Sequence, residues 1–358
     1  MLKMPEVHQN AIVVAAHTDI VASDSYYWRT QGETAVIEKR HLPLLRAGGV
    51  TVIGEHVGGD APYGFIPPTL PYSTPHHRAM RGIDFAYMEA DESESLVIVT
   101  STEDIRQAKR DGKIAIVLCF EGASPLEGEI SFLHNFYRLG LRCLGLSHNV
   151  RNELADGLLE RSQGGLTHFG VEVVKECNNL GILVDVSHLC DKACWDVLEL
   201  SSQPITASHS NARALHPHPR NLTDDQIKAI SQSGGVIGVH TLNMLVGEVP
   251  KPTLDDVLKH IVHMVEVGGI DCVGIGPDMM ENWQHEYFRL ATEEAPTFTS
   301  IPTAPMTYAY PKGISSMAEL PNITIGLLKL GFNEEEIRKI LGANFMRLFA
   351  RVWRNNGH

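Results

Sequence analysis

The stretch AIVVAAHTDI, residues 11–20, runs six apolar positions straight into His17, with Asp19 two positions later. A continuous apolar run without polar alternation suits a strand covered on both faces, as in a parallel sheet. Such a strand has no structural use for an imidazole and a carboxylate at its end. With a side-chain period of two, His17 and Asp19 fall on one face of the chain and Thr18 on the other.

The pattern recurs. GVTVIGEHVG, KIAIVLCFEG, LRCLGLSHN, GILVDVSHL, PITASHS, GGVIGVHTL and DCVGIGPDMM follow in order, making eight runs in all. Helical patterns such as FGVEVVKECNNLG and TLDDVLKHIVHMVEVGG lie between them, closed by helix-stopping glycines. Eight strand–helix units without a composition break predict an α/β chain folded as a (β/α)8 TIM barrel, one domain over residues 1–358. Residues 314–358 read as C-terminal helices packed back on it. A doubly wound open sheet is the alternative.

Two long segments break the rhythm: GGDAPYGFIPPTLPYSTPHHRAM after the second run and ENWQHEYFRLATEEAPTFTSIPTAPMTYAYPKG after the eighth. Long connections in a compact domain are usually functional. Both leave the carboxyl end of the predicted barrel and read as walls over a site, or as subunit contacts.

Hydrophobic residues make up 43% of the chain and charged residues 20%, enough for a large core. A formal charge of -13 argues against the basic surface that nucleic acid or an anionic membrane would require. It accommodates a carboxylate cluster that needs a cation. The six cysteines are scattered in apolar runs and read as buried free thiols. The first residues, MLKMPEVHQN, hold no apolar signal region, and no run is as long as a membrane span, so a soluble cytoplasmic protein is expected.

The strand ends carry the chemistry. They deliver His17 and Asp19, Glu121, His148, His188, His209 and Asp278 from six of the eight runs. In a closed parallel barrel these ends converge on one mouth. Imidazoles and carboxylates together are what divalent transition metals bind, zinc above all. His17 and Asp19 can grip one ion, His188 and His209 a second, and Glu121 can bridge them. Two such ions would sit roughly 3.5–4 Å apart and acidify a shared water to hydroxide.

At these residues the chain resembles the membrane (renal) dipeptidase family of zinc metallopeptidases, of amidohydrolase-like fold. The resemblance runs through HTDI, FEG, LSHN, GLTHFGVEVVKECNNLGILVDVSH, ITASHS, HPRNLTDDQI and ILGANFMRL, nearly the whole chain. It implies a dipeptidase with two zinc ions: His17 and Asp19 on one, His188 and His209 on the other, Glu121 between. It further implies that His148 contacts the substrate carbonyl and steadies the oxyanion. Arg220, with Asn221 beside it in HPRN, would bind the substrate's terminal carboxylate, and Asp278 would carry the proton. Family members commonly pair as dimers, so a homodimer or higher homo-oligomer is expected.

Three departures bear on substrate choice. GPDMMENW stands where the family usually has Asp-Phe-Asp-Gly, so Met280 replaces an acid. EHVGGD places Glu55 and His56 near the mouth, and His240 ends the seventh run where a small polar or amide residue is expected. These keep open a metal-dependent hydrolase of a non-peptide amide, an N-acyl amino acid or a lactone; a barrel that binds without turnover is a further alternative, against which the retained ligands and Asp278 argue. His76, His77, His216, His218, His260 and His263 read as surface or turn residues.

Overall fold

The computed structural model describes residues 4–60, 74–248, 252–279 and 310–354. The predicted walls lie mostly outside these residues, at 61–73 and 280–309, and Met280 with them. The strands are β1 (Val14–Thr18), β2 (Val52–Gly59), β3 (Leu96–Ile98), β4 (Ile114–Glu121), β5 (Leu141–Gly145), β6 (Leu183–Asp185), β7 (Thr206–Ala207), β8 (Val236–Val239) and β9 (Val273–Ile275). Every pairing is parallel, and β2 pairs with β1 on one side and β4 on the other. The order β2-β1-β9-β8-β7-β6-β5-β4 therefore closes into a ring of eight, which excludes the open sheet.

Each of the eight apolar runs supplies one barrel strand. The ninth, β3, pairs only with residues 114–116 of β4, on the flank that β5 takes over from Leu118 onward. Its run LVIV, residues 96–99, is shorter than the eight barrel runs and lies outside the ring, beside β4 alone.

The buried apolar residues divide by strand parity. Ile114, Ile116, Leu118 and Phe120 of β4 pack outward against the helices. Ala115, Val117 and Cys119 alternate with them and face the lumen, where they join Val14, Val52, Leu183 and Val236. Glu121 continues the inward series and rises from this apolar floor. All six cysteines are free and buried.

The C-terminal helices Pro321–Lys329, Glu334–Arg338 and Asn344–Val352 form the predicted extension. The last of them plugs the barrel floor with Phe345, 1% exposed. Gly274 of β9 admits that ring, since a Cβ there would lie 2.3 Å from it. Asn344 pins the plug by donating to Ile270 O and Val273 O, both at 2.8 Å. Phe345→Ala is expected to destabilise the protein by about 3–5 kcal/mol, because it empties a large site with little room to collapse. Chemical denaturation measures this as a lowered midpoint at an unchanged slope. No helix among the described residues is long and apolar enough to cross a membrane.

Candidate metal centre and active site

A bulge in β1 starts the site. Ala15 pairs with Ile53, but the next pair is Thr18 with Glu55, so β1 spends three residues where β2 spends two. The extra residue flips the parity of the strand end. Ala15 faces the outer shell, and without the bulge His17 and Asp19 would face it too. Instead Thr18 turns outward and donates from Oγ1 to Glu55 Oε2 at 2.6 Å, while Val21 N donates to Glu55 Oε1 at 2.6 Å. Glu55, expected near the mouth, is thus a fully buried brace behind the bulge. Burial pushes its carboxyl up to about 8. His56, next along β2, does reach the site and stacks on His17 with ring centroids 3.9 Å apart.

The other strand ends converge on Glu121. Its Oε1 lies 2.8 Å from His188 Nε2, 3.3 Å from His209 Nε2 and 3.7 Å from His17 Nε2; its Oε2 lies 3.9 Å from His148 Nε2. His17 Nε2 is also 3.4 Å from Asp19 Oδ2 and 3.5 Å from Asp278 Oδ1. His188, Asp278 and Asn149 all hold left-handed backbone, with φ of 67°, 52° and 57°. Such strain in non-glycine residues concentrates where geometry serves a site.

The tautomers follow from the outer hydrogen bonds. His188 Nδ1 donates to Asn149 Oδ1 at 2.8 Å. Ser208 Oγ donates to Asp185 Oδ2 and so accepts from His209 Nδ1, at 2.8 Å. Both Nε2 atoms then carry lone pairs, and they face each other 2.8 Å apart beside a carboxylate oxygen. A bound cation satisfies such a set. An ion with bonds of 2.0–2.2 Å in tetrahedral geometry places its ligand atoms about 3.3–3.6 Å apart, close to the His209–Glu121, His17–Asp19 and His17–Asp278 spacings of 3.3, 3.4 and 3.5 Å, while the 2.8 Å contacts of His188 are shorter. Asp19 Oδ1, His56 Nε2 and Asp278 Oδ1 are buried without a hydrogen-bond partner among the described residues. The donor set fits divalent metal.

The charges agree. Burial disfavours a charged His17, but Asp19, Asp278 and Glu121 around it raise it to about 10. Burial pushes Glu121 well above the usual carboxylate range and His188 and His209 well below the usual imidazole range. Three carboxyl groups thus crowd one imidazole, His17, at 3.4, 3.7 and 3.5 Å, a demand that bound cations meet.

His148 is held through its backbone. Asp60, at the end of β2, accepts from His148 N at 2.9 Å, Asn152 Nδ2 at 2.8 Å and Ser124 N at 2.8 Å. It ties together the loops after β4 and β5. Asp60, Asn149, Asp185 and Ser208 escape a sequence reading because their partners lie far along the chain. The DVSH and ASHS ends of two runs were the available signal for Asp185 and Ser208.

Arg220 is 6% exposed. Its Nη1 donates to Ser210 Oγ at 2.7 Å, while Nε and Nη2 have no partner among the described residues. Burial lowers its pKa to about 10, with Glu121, Asp185 and Asp278 pulling the other way. Asn221 spends its amide nitrogen on His216 O and Leu245 O, both at 3.0 Å, bracing the Arg220 loop, and its Oδ1 has no partner among the described residues. His260 is buried rather than superficial, because its helix lies under that loop; it bonds Ala212 N and Val246 O. His76 and His77 open the helix Pro75–Asp91 instead of lying in a loop.

The model of the membrane dipeptidase family (peptidase family M19) matches residues 1–285. A protein of Klebsiella pneumoniae described as an uncharacterized protein in the pqqA 5′ region is 32% identical over 268 residues, 72% of this chain and 89% of that one. An amidohydrolase from Pseudomonas aeruginosa superposes with a TM-score of 0.83 at 28% identity, covering 98% of this chain and 99% of its own. A metallo peptidase from Rhodobacter sphaeroides, liganded with a phosphinate mimic of the dipeptide L-Ala-D-Ala, gives a TM-score of 0.78 at 25% identity, with 96% of this chain and 100% of that one covered. The chain belongs to the membrane dipeptidase family, peptidase family M19, and is a metallopeptidase on a (β/α)8 barrel.

Proposed function

We propose that the protein is a binuclear zinc dipeptidase that cleaves the peptide bond beside a free C-terminal carboxylate. The observation that carries this reading is Arg220, a buried guanidinium near the metal cluster with two donors unpaired among the described residues. A buried cation left unpaired is costly, and its planar fork matches a carboxylate. The phosphinate dipeptide mimic held by the Rhodobacter sphaeroides relative supports the substrate class.

His17, Asp19, Glu121, His188 and His209 would hold the two ions, with Glu121 between them. When bound, such ions supply Lewis acidity and bring the pKa of water near neutrality. Arg220 fixes the substrate's carboxylate, and Asn221 braces its loop. His148, seated by Asp60 beside Glu121, faces the scissile carbonyl and steadies its oxygen as charge develops there. Asp278 presents to the same space one carboxylate oxygen without a partner among the described residues, takes a proton there from the attacking water and passes it to the leaving amine. A cytoplasmic homodimer or higher homo-oligomer belongs to the same reading.

Arg220→Met is expected to lower kcat/KM on free dipeptides by about 100-fold, the scale of a charge-assisted bidentate pair. The loss should be small on dipeptide amides, which lack the carboxylate. Equal losses on both substrates would remove Arg220 from this role. A second reading, hydrolysis of an N-acyl amino acid, keeps the same carboxylate contact with the two unpaired donors of Arg220 among the described residues. Parallel assays of dipeptides and N-acyl amino acids separate the two.

A further inference from the structure

His240 ends β8 at the point where its imidazole meets Asp278, and its hydrogen bonds leave one arrangement. Leu242 N donates to His240 Nδ1 at 2.9 Å. An accepting ring nitrogen carries no hydrogen in a neutral imidazole, so the proton sits on Nε2. His240 Nε2 lies 3.0 Å from Asp278 Oδ2, and with the proton on Nε2 the ring is the donor of the side-chain hydrogen bond between them. That bond occupies Oδ2 and leaves Oδ1, buried and without a hydrogen-bond partner among the described residues, 3.5 Å from His17 Nε2.

Both ends of the pair are clamped. Asn211 accepts from His240 N and donates to His240 O, each at 3.1 Å. Thr241 donates from Oγ1 to Pro277 O at 2.5 Å, tying the segment before Asp278 to the end of β8. Tyr310 donates its hydroxyl to Asp278 O at 3.1 Å. The carboxylate is held in place on left-handed backbone, with φ of 52°.

We propose that His240 is the positioning residue of Asp278: it binds Oδ2 and thereby dedicates Oδ1 to the reacting groups. This rests on the reading of Asp278 as the proton carrier. A rotating carboxylate would present either oxygen and lose time in unproductive orientations. One donor on a fixed ring removes that freedom, and positioning of this kind is worth 10- to 100-fold at metal sites, roughly. His240 acts through Asp278 and does not touch the substrate.

The test is a double-mutant cycle read as kcat and KM separately, with bound zinc counted in every variant. His240→Leu is expected to lower kcat by about 10- to 100-fold, with KM and zinc content near those of the parent. His240→Gln, whose amide reaches Oδ2 and donates there, should recover most of kcat. In an Asp278→Asn background, His240→Leu should cost little more, because the group it positions is gone. If His240→Leu fails to fold, His240→Asn, polar but too short, takes its place in the cycle.

Full kcat in His240→Leu, equal losses in Leu and Gln, or the same loss with and without Asp278 would each overturn the proposal. Near-full activity of Asp278→Asn alone overturns the underlying reading instead. An inactive Asp278→Asn beside a fully active His240→Leu removes only the role of His240.

Discussion

Asp278→Asn is expected to lower kcat by about 10³- to 10⁴-fold, at the upper end of what general acid–base groups contribute, while the metal content stays that of the parent. The amide is isosteric and its oxygen still accepts the His240 Nε2 hydrogen at the 3.0 Å contact. The atom replacing Oδ1 can no longer take or give the proton. His17, Asp19, Glu121, His188 and His209 are untouched, so both ions should remain. Elemental analysis beside steady-state kinetics checks both halves. Near-full turnover would remove Asp278 from the mechanism, and loss of metal would reassign it as a ligand.

Glu121→Gln is expected to do the reverse and fail at metal loading. Glu121 Oε1 lies within 3.7 Å of three Nε2 atoms, from His188, His209 and His17. A neutral amide offers one oxygen and directs an N–H₂ group at lone pairs, so it makes a poor bridge. At least one ion should be lost, with affinity for it down by about 100-fold or more, beyond what changes outside the ligand set cost. The loss appears in thermal melts too. A ligand at 100 times its Kd stabilises the folded state by about 2.7 kcal/mol, so zinc should raise the variant's Tm by less than the parent's, by the share of the ion that is lost. Two tightly held ions in Glu121→Gln would contradict the bridging role.

Much of this could be read from residues 11–20 and their counterparts. Parallel strands buried on both faces leave continuous apolar runs, and all eight barrel strands announced themselves this way. The seven ionisable strand-end residues follow from the same reading, and the fold brings them to one mouth. The β1 bulge was not legible. Period two correctly places His17 and Asp19 on one face, but a regular strand continued from Ala15 would turn that face to the helices. The additional residue opposite β2 decides the matter, and pairing registers are not written in either strand alone. Glu55 was misplaced for the same reason, since its direction depends on which β1 residue it meets.

The hydrogen bonds that set the tautomers were also beyond the sequence. Asn149 and His188, Asp185 and Ser208, and His240 and Asp278 meet only because strands distant in the chain adjoin at the mouth. His240 illustrates the gain: in sequence it is a departure from a family pattern, and in the structure it is a fixed donor to one carboxylate oxygen.

The most direct test of the central claim is a zinc count on protein whose hydrolysis of a small panel of L-L and L-D dipeptides is followed through chelation and zinc restoration. The account predicts two zinc ions per chain, turnover that disappears as they are removed, and recovery when they return. Dipeptide hydrolysis that persists after the metal is stripped, or a fully loaded centre inert on every dipeptide, would contradict it.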